Sequence, residues 1–206
     1  MITGKACVVV VDVQRGLLDP KSQFYDPDYV KLVERCRVLL DKAREAKVPI
    51  VYLQEVHREN RLDIGRELEG DENMHCVETS PYTEVAEKEL GRDPETEPLV
   101  KKRRYSGFLY TELEVVLSGL GIHPGDTLIL FGGFTDVCVH YTFVDAHQRD
   151  YRLRVVTDLC TASNEERGSA AIEAMRYLQH AAPCTLQEMI KELEEYGAAH
   201  SDAVDG

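Results

Sequence analysis

The chain is 206 residues long, with 43% hydrophobic content and a formal net charge of -13. Those values fit one α/β domain with its own core. They argue against nucleic acid or an anionic membrane surface as partner, since both need clustered Lys and Arg, and leave a small molecule.

No apolar run reaches membrane-spanning length, and MITGK passes directly into a strand-like segment, so a cytoplasmic protein with no membrane partner is expected. The six cysteines, Cys7, Cys36, Cys76, Cys138, Cys160 and Cys184, form no CxxC pair, which argues against a disulfide framework or a zinc ribbon.

Ala6 to Asp12 is a β-branched run of the kind buried on both faces of a parallel sheet. Asp26-Pro27 reads as an N-cap and first helical residue, opening a helix that runs to about Ala46. Val48 to Leu53 predicts a second strand. Gln54 to Pro81 is charged and aperiodic, a length that in a compact domain marks a functional or disordered loop. A short helix over Thr83 to Leu90, a third strand over Pro98 to Lys101, and a helix over Tyr110 to Gly119 with Thr111 as cap come next.

Leu128 to Phe131 is a short apolar strand that meets Gly132 and Gly133, with Thr135 or Asp136 placed to cap the following helix. Cys138 then falls in that helix's first turn, where free N–H groups and the macrodipole favour thiolate. A fifth strand over Arg152 to Thr157, a helix over Asn164 to His180, a short strand over Pro183 to Leu186 and a helix from Gln187 to Tyr196 complete the pattern. The domain is thus expected to span 1–196, with 197–206 as a polar, frayed tail.

Alternating strands and helices predict a three-layer α/β/α, doubly wound, mostly parallel six-stranded sheet, with ligands at the carboxyl edge near the switch point. Asp12 ends the first strand, Lys102 follows the third and Cys138 follows the fourth, so all three should project at that edge. A thiol with an acid-base carboxylate, a charged neighbour and the turn's backbone N–H groups as oxyanion donors is an assembly for amide hydrolysis.

The pieces VVVVDVQRGLLDP, VKKRRYSGFLYTELE and FGGFTDVCVHYTFVDA resemble the three signature blocks of the isochorismatase-like cysteine hydrolases, which include nicotinamidase, N-carbamoylsarcosine amidase and ureidoacrylate hydrolase. The resemblance implies an Asp12, Lys102, Cys138 triad. Lys102 is preferred to Lys101 because the family's lysine lies four residues before the serine matching Ser106. It further implies a cis peptide at Gly133-Phe134, the amides of Phe134 and Cys138 as oxyanion hole, no organic cofactor and a homo-oligomer. Because the family's ether-cleaving members lack the cysteine, Cys138 favours C–N hydrolysis of a small, nicotinamide-like amide. The competing readings are a metal-free N-carbamoyl or ureido hydrolase, an isochorismatase-type hydrolase, and an idle binding module.

Glu55, His57 and His75 resemble the family's Asp-x-His and later His that hold a divalent metal, and MHCVETSPYTEV resembles the segment around the second histidine. Zinc, iron or manganese suits such a set. Glu stands at 55 where the family has Asp. Such a metal would anchor a substrate ring nitrogen or polarise a carbonyl.

Overall fold

The computed structural model describes residues 1–70 and 72–201. Strands β1 (Ala6–Val11), β2 (Ile50–Glu55), β3 (Leu99–Lys102), β4 (Thr127–Gly132), β5 (Arg152–Val156) and β6 (Pro183–Cys184) form one sheet in the order β3-β2-β1-β4-β5-β6. Every pairing is parallel. The strand order reverses between β1 and β4, which opens a crevice at their carboxyl ends.

Each strand splits its side chains between two layers. Val8, Val10, Ile50, Tyr52, Ile129 and Phe131 face helices α1 (Pro27–Glu45) and α6 (Leu186–Ser201), packing against Leu39, Leu40, Met189 and Leu193. Val9, Val11, Val51, Leu53, Leu128 and Leu130 face α3 (Leu113–Gly119), α4 (His140–His147) and α5 (Glu165–Leu178), against Leu117, Phe143 and Met175. Burial on both faces is why these strands read as continuous apolar runs, each such side chain contributing roughly 1.5–3 kcal/mol. Asp26 caps α1, its Oδ1 accepting from the Asp28 amide at 2.9 Å, and Asn164 caps α5 through the Arg167 amide at 2.8 Å.

Several boundaries differ from the sequence reading; α3, for one, starts at Leu113 with Glu112 and not Thr111 at its N-cap. β2 begins at Ile50 and continues through Gln54 and Glu55, which pair with Lys101 and Lys102, so Glu55 ends a strand instead of lying in the loop. Helix α2 covers only Glu87–Leu90, because Val85 is drawn into an antiparallel bridge with Gln14. Neither Thr135 nor Asp136 caps the helix after β4: the Thr135 hydroxyl donates to Thr161 O at 2.6 Å, and Asp136 accepts from the Ser163 amide at 2.9 Å. Finally α6 runs past Tyr196 to Ser201. Gly197 does not stop it but permits close approach to α1, where a Cβ would stand 3.3 Å from Ala46. The rest of the expected tail, 202–206, lies outside the described residues. Among the described residues no helix is long and apolar enough to cross a membrane.

Candidate active site at the strand-order switch

Asp12 leaves β1 in the left-handed region at φ 50, a conformation that a short polar side chain tolerates best after glycine. Its Oδ1 accepts from the Glu55 amide at 2.9 Å and its Oδ2 lies 2.7 Å from Lys102 Nζ. Lys102 is the last residue of β3, its side chain fully buried. Its ammonium also reaches Glu55 Oε2 at 2.7 Å, Arg104 O at 3.1 Å and Cys138 Sγ at 3.4 Å.

Cys138 is carried by a single π-type turn over Thr135–Val139, in which the Val139 amide donates to Phe134 O at 3.1 Å. Such wide turns recur at functional sites. The approach to this turn demands glycine: Gly132 has φ 136, and a Cβ there would lie 1.9 Å from Val11 O. The Gly133-Phe134 peptide is cis.

The Cys138 thiol donates toward Glu55 Oε2 at 3.4 Å. Burial raises its pKa well above the usual thiol value, and although Lys102 opposes this, Asp12 and Glu55 reinforce it. The resting group is therefore a thiol, which corrects the expectation that the turn alone would stabilise thiolate. Burial likewise raises the Asp12 carboxyl, with Lys102 pulling it back and Glu55 adding to the rise. Burial works against ionisation of Glu55 too, but Lys102, His57 and His75 overcome it and hold the carboxyl well below its ordinary range. Lys102 stays charged, because Asp12 and Glu55 outweigh its desolvation.

Glu55 faces two ways. Its Oε1 lies 2.9 Å from His75 Nε2 and 3.3 Å from His57 Nε2. The two histidines meet because the long loop is pinched at its neck: the His57 amide donates to Cys76 O at 2.7 Å and the Glu78 amide to His57 O at 2.8 Å. Glu67, from a short 3-10 turn in the same loop, adds its Oε2 at 3.1 Å from His57 Nε2. Burial lowers the His57 pKa, but Glu55 and Glu67 outweigh it and lift it to about 9. Donor atoms of Glu55, His57, Glu67 and His75 all lie within 4.8 Å of one another. Two imidazoles and two buried carboxylates, with Glu67 Oε1 lacking any hydrogen-bond donor, make a donor set that fits a divalent cation.

A cavity of about 80 Å³ opens onto Cys138. Asp12, Glu55 and His75 line it, as do Phe24, Tyr82, Tyr105 and Phe134. Glu72 lies at its edge and accepts from the Tyr105 hydroxyl at 3.2 Å. Sequence patterns gave no signal for Phe24, Glu67, Glu72 or Tyr82, whose roles depend on how the loop folds. Arg103 and Arg104 turn away, the first to Asp63 at 3.0 Å and Val56 O, the second to Asp63 O at 2.5 Å. His140 and Tyr141 do not line the cavity; Tyr141 instead packs against the Tyr105 ring at 5.8 Å.

The Isochorismatase domain model matches residues 6–188, and the chain belongs to that family of hydrolases. Among particular relatives, the maleamate amidohydrolase of Pseudomonas putida is 27% identical over 159 residues, covering 75% of this chain and 71% of that protein. An isochorismatase-like hydrolase from Alkaliphilus metalliredigens superposes with a TM-score of 0.79 at 25% identity, over 92% of this chain and 99% of the other. The pyrazinamidase of Pyrococcus horikoshii, solved in complex with zinc, gives 0.73 at 25% identity, over 88% and 98%.

Proposed function

We propose that the protein is a cysteine-dependent amidohydrolase for a small, uncharged, nicotinamide-like amide. The observation that carries this reading is the meeting of Asp12 and Cys138 at one cavity with Lys102 buried behind them, Nζ 2.7 Å from Asp12 Oδ2 and 3.4 Å from Sγ.

In this reading Cys138 Sγ attacks the amide carbon as Asp12 takes the thiol proton. The amides of Phe134 and Cys138 receive the oxyanion. Asp12 returns the proton to the leaving nitrogen, the C–N bond breaks and a thioester remains. Water, deprotonated by Asp12, attacks the thioester and releases the carboxylic acid and the thiol. Lys102 keeps the two flanking carboxylates in place throughout. Glu55, His57 and His75 would hold a divalent ion, zinc, iron or manganese, which supplies fixed positive charge behind the cavity wall.

The lining favours a neutral aromatic amide over one that carries a second carboxylate, such as maleamate. Among the described residues its charged members are the acids Asp12, Glu55 and Glu72, with no Arg or Lys. A substrate carboxylate would be desolvated without a partner, whereas Phe24, Tyr82, Tyr105 and Phe134 offer apolar walls to a flat ring. Ammonia release from nicotinamide, pyrazinamide, maleamate and N-carbamoyl compounds tests this directly. Turnover confined to the anionic or carbamoyl compounds would reject the substrate assignment, and a fully active Cys138→Ala protein would reject the mechanism. A homo-oligomer belongs to the same reading, supported by the exposed Tyr177 and Leu178 at the end of α5; light scattering on the purified protein measures it.

A further inference from the structure

We infer that Ser106, Thr142 and Asp145 form a clamp that positions the Lys102 ammonium against the Cys138 sulfur. The inference rests on the roles proposed above for Lys102 and Cys138, and it assigns the three residues positioning, not contact with substrate.

The two groups arrive from separate places. Lys102 ends β3, Cys138 stands six residues past the end of β4, and β2 and β1 lie between those strands in the sheet. The ladder sets the separation of the strand ends, but lysine carries its charge on a flexible four-carbon stem. Something further must hold Nζ 3.4 Å from Sγ.

A chain of hydrogen bonds does so. Lys102 Nζ donates to Arg104 O at 3.1 Å, which folds the segment after β3 back over the ammonium. Two residues on, the Ser106 hydroxyl donates to Asp145 Oδ2 and accepts from the Phe108 amide at 3.1 Å. The Gly107 amide donates to Thr142 Oγ1 at 2.9 Å. Thr142 and Asp145 lie on α4, four and seven residues past Cys138, the spacing that keeps side chains on one side of a helix. One short segment thus grips the ammonium through a carbonyl and the nucleophile's helix through a hydroxyl and an amide.

The grip is tight. Ser106 and Thr142 are buried, so water does not compete for their bonds. A Cβ at Gly107 would stand 2.4 Å from Leu53 Cδ1, so the segment lies hard against β2. Asp145 sits in the last turn of α4, where a carboxylate opposes the helix dipole. Arg149 does not explain it, since its Nη1 stays 3.7 Å from Oδ1, beyond hydrogen-bond reach. A carboxylate that weakens its own helix yet takes the bond of a buried hydroxyl is placed for that bond.

Iodoacetamide, itself a small amide, tests the clamp without turnover. The full chain is alkylated at one neutral pH and each cysteine is followed by mass spectrometry. Lys102 stabilises the negative charge that the sulfur gains as it attacks. Ser106→Ala and Thr142→Val should therefore slow alkylation of Cys138 by ~10–100-fold, since about an ångström of misplacement costs up to ~100-fold. Asp145→Asn, whose side-chain carbonyl still accepts from Ser106, should keep the wild-type rate, and Asp145→Ala should not. In steady-state kinetics kcat should fall with the alkylation rate while KM holds.

A merely structural role predicts the opposite sign, because loosened packing exposes buried thiols. Faster alkylation of Cys36 and Cys184 together with Cys138 would overturn the inference. So would an unchanged Cys138 rate in both Ser106→Ala and Thr142→Val, or an Asp145→Asn protein as slow as Asp145→Ala. If Ser106→Ala slows the thiol in a protein that turns over no amide, the clamp stands and the proposed activity fails. If amides are turned over and the thiol rate does not respond, the activity stands and the clamp fails.

Discussion

Two buried clusters meet at Glu55, and they are built by opposite means. Asp12, Lys102 and Cys138 sit on or just past the ends of β1, β3 and β4, so the hydrogen-bonded ladder of the sheet fixes their separation. His57, Glu67 and His75 sit on the loop that follows β2, and their meeting depends on two backbone hydrogen bonds at its neck and on whatever satisfies the side chains themselves. One cluster inherits its geometry from the fold, and the other needs its own contents to stay together.

That contrast can be broken at either end. The largest effect is expected for Cys138→Ala, with amide turnover falling ~10⁴-fold or more and the melting temperature moving little, because the proposed nucleophile is lost and the sheet is not. Steady-state kinetics and a thermal melt on the same sample read both halves.

Lys102→Met should cost about 3–5 kcal/mol in denaturant unfolding, since it strands the Asp12 and Glu55 carboxylates in a buried site. A loss below 1 kcal/mol would mean that water compensates and the strand-end cluster is softer than argued. Gly132→Ala should destabilise by about 2–3 kcal/mol, through the clash with Val11 O and the positive φ, measured the same way.

For the loop cluster, stripping a bound ion with chelator should lower stability by about 2–3 kcal/mol, the linkage expected for an ion present at about a hundred times its dissociation constant. Hydrogen exchange should show lost protection confined to residues 56–78, while β1 and β4 stay protected. Loosening of the strand ends as well would erase the distinction drawn here. The smallest change is expected for Tyr105→Phe, which removes the hydroxyl from Glu72 and should raise KM about five-fold with kcat unchanged, for a loss near 1 kcal/mol.

The same contrast explains what could be read in the sequence. Val8 to Val11 and Leu128 to Phe131 announce buried strands, and once strands are placed the residues at their ends follow, which is how Asp12, Lys102 and Cys138 were brought to one edge. Glu55 was misplaced by one element because polar residues at the buried end of β2 look like loop. The last helix was ended at Tyr196 because the residues after it read as a polar tail, and the service of Gly197 to the α1 contact is visible only in space. Glu67 lies ten residues past His57 and eight before His75, in no periodic frame, so nothing in its neighbours marks it. The resting state of Cys138 was misjudged for a different reason. Local turn geometry was legible, but the desolvation that full burial brings, with two carboxylates added to it, was not weighed against it.

The pinched neck at His57 and Cys76 makes the long loop a stitch rather than a flap. Leu62, at its outer bend, is 80% exposed and open to a protease. A cut there would divide the chain into two pieces, with His57 on one and Glu67 and His75 on the other. Both pieces would remain fastened, the first through β2 and the second through the Cys76 and Glu78 bonds and the Met74 carbonyl held by Gln23 Nε2 at 2.8 Å. Continuity of the polypeptide is thus dispensable at this bend. The nicked protein should elute as one species in native buffer and separate into two only on denaturation.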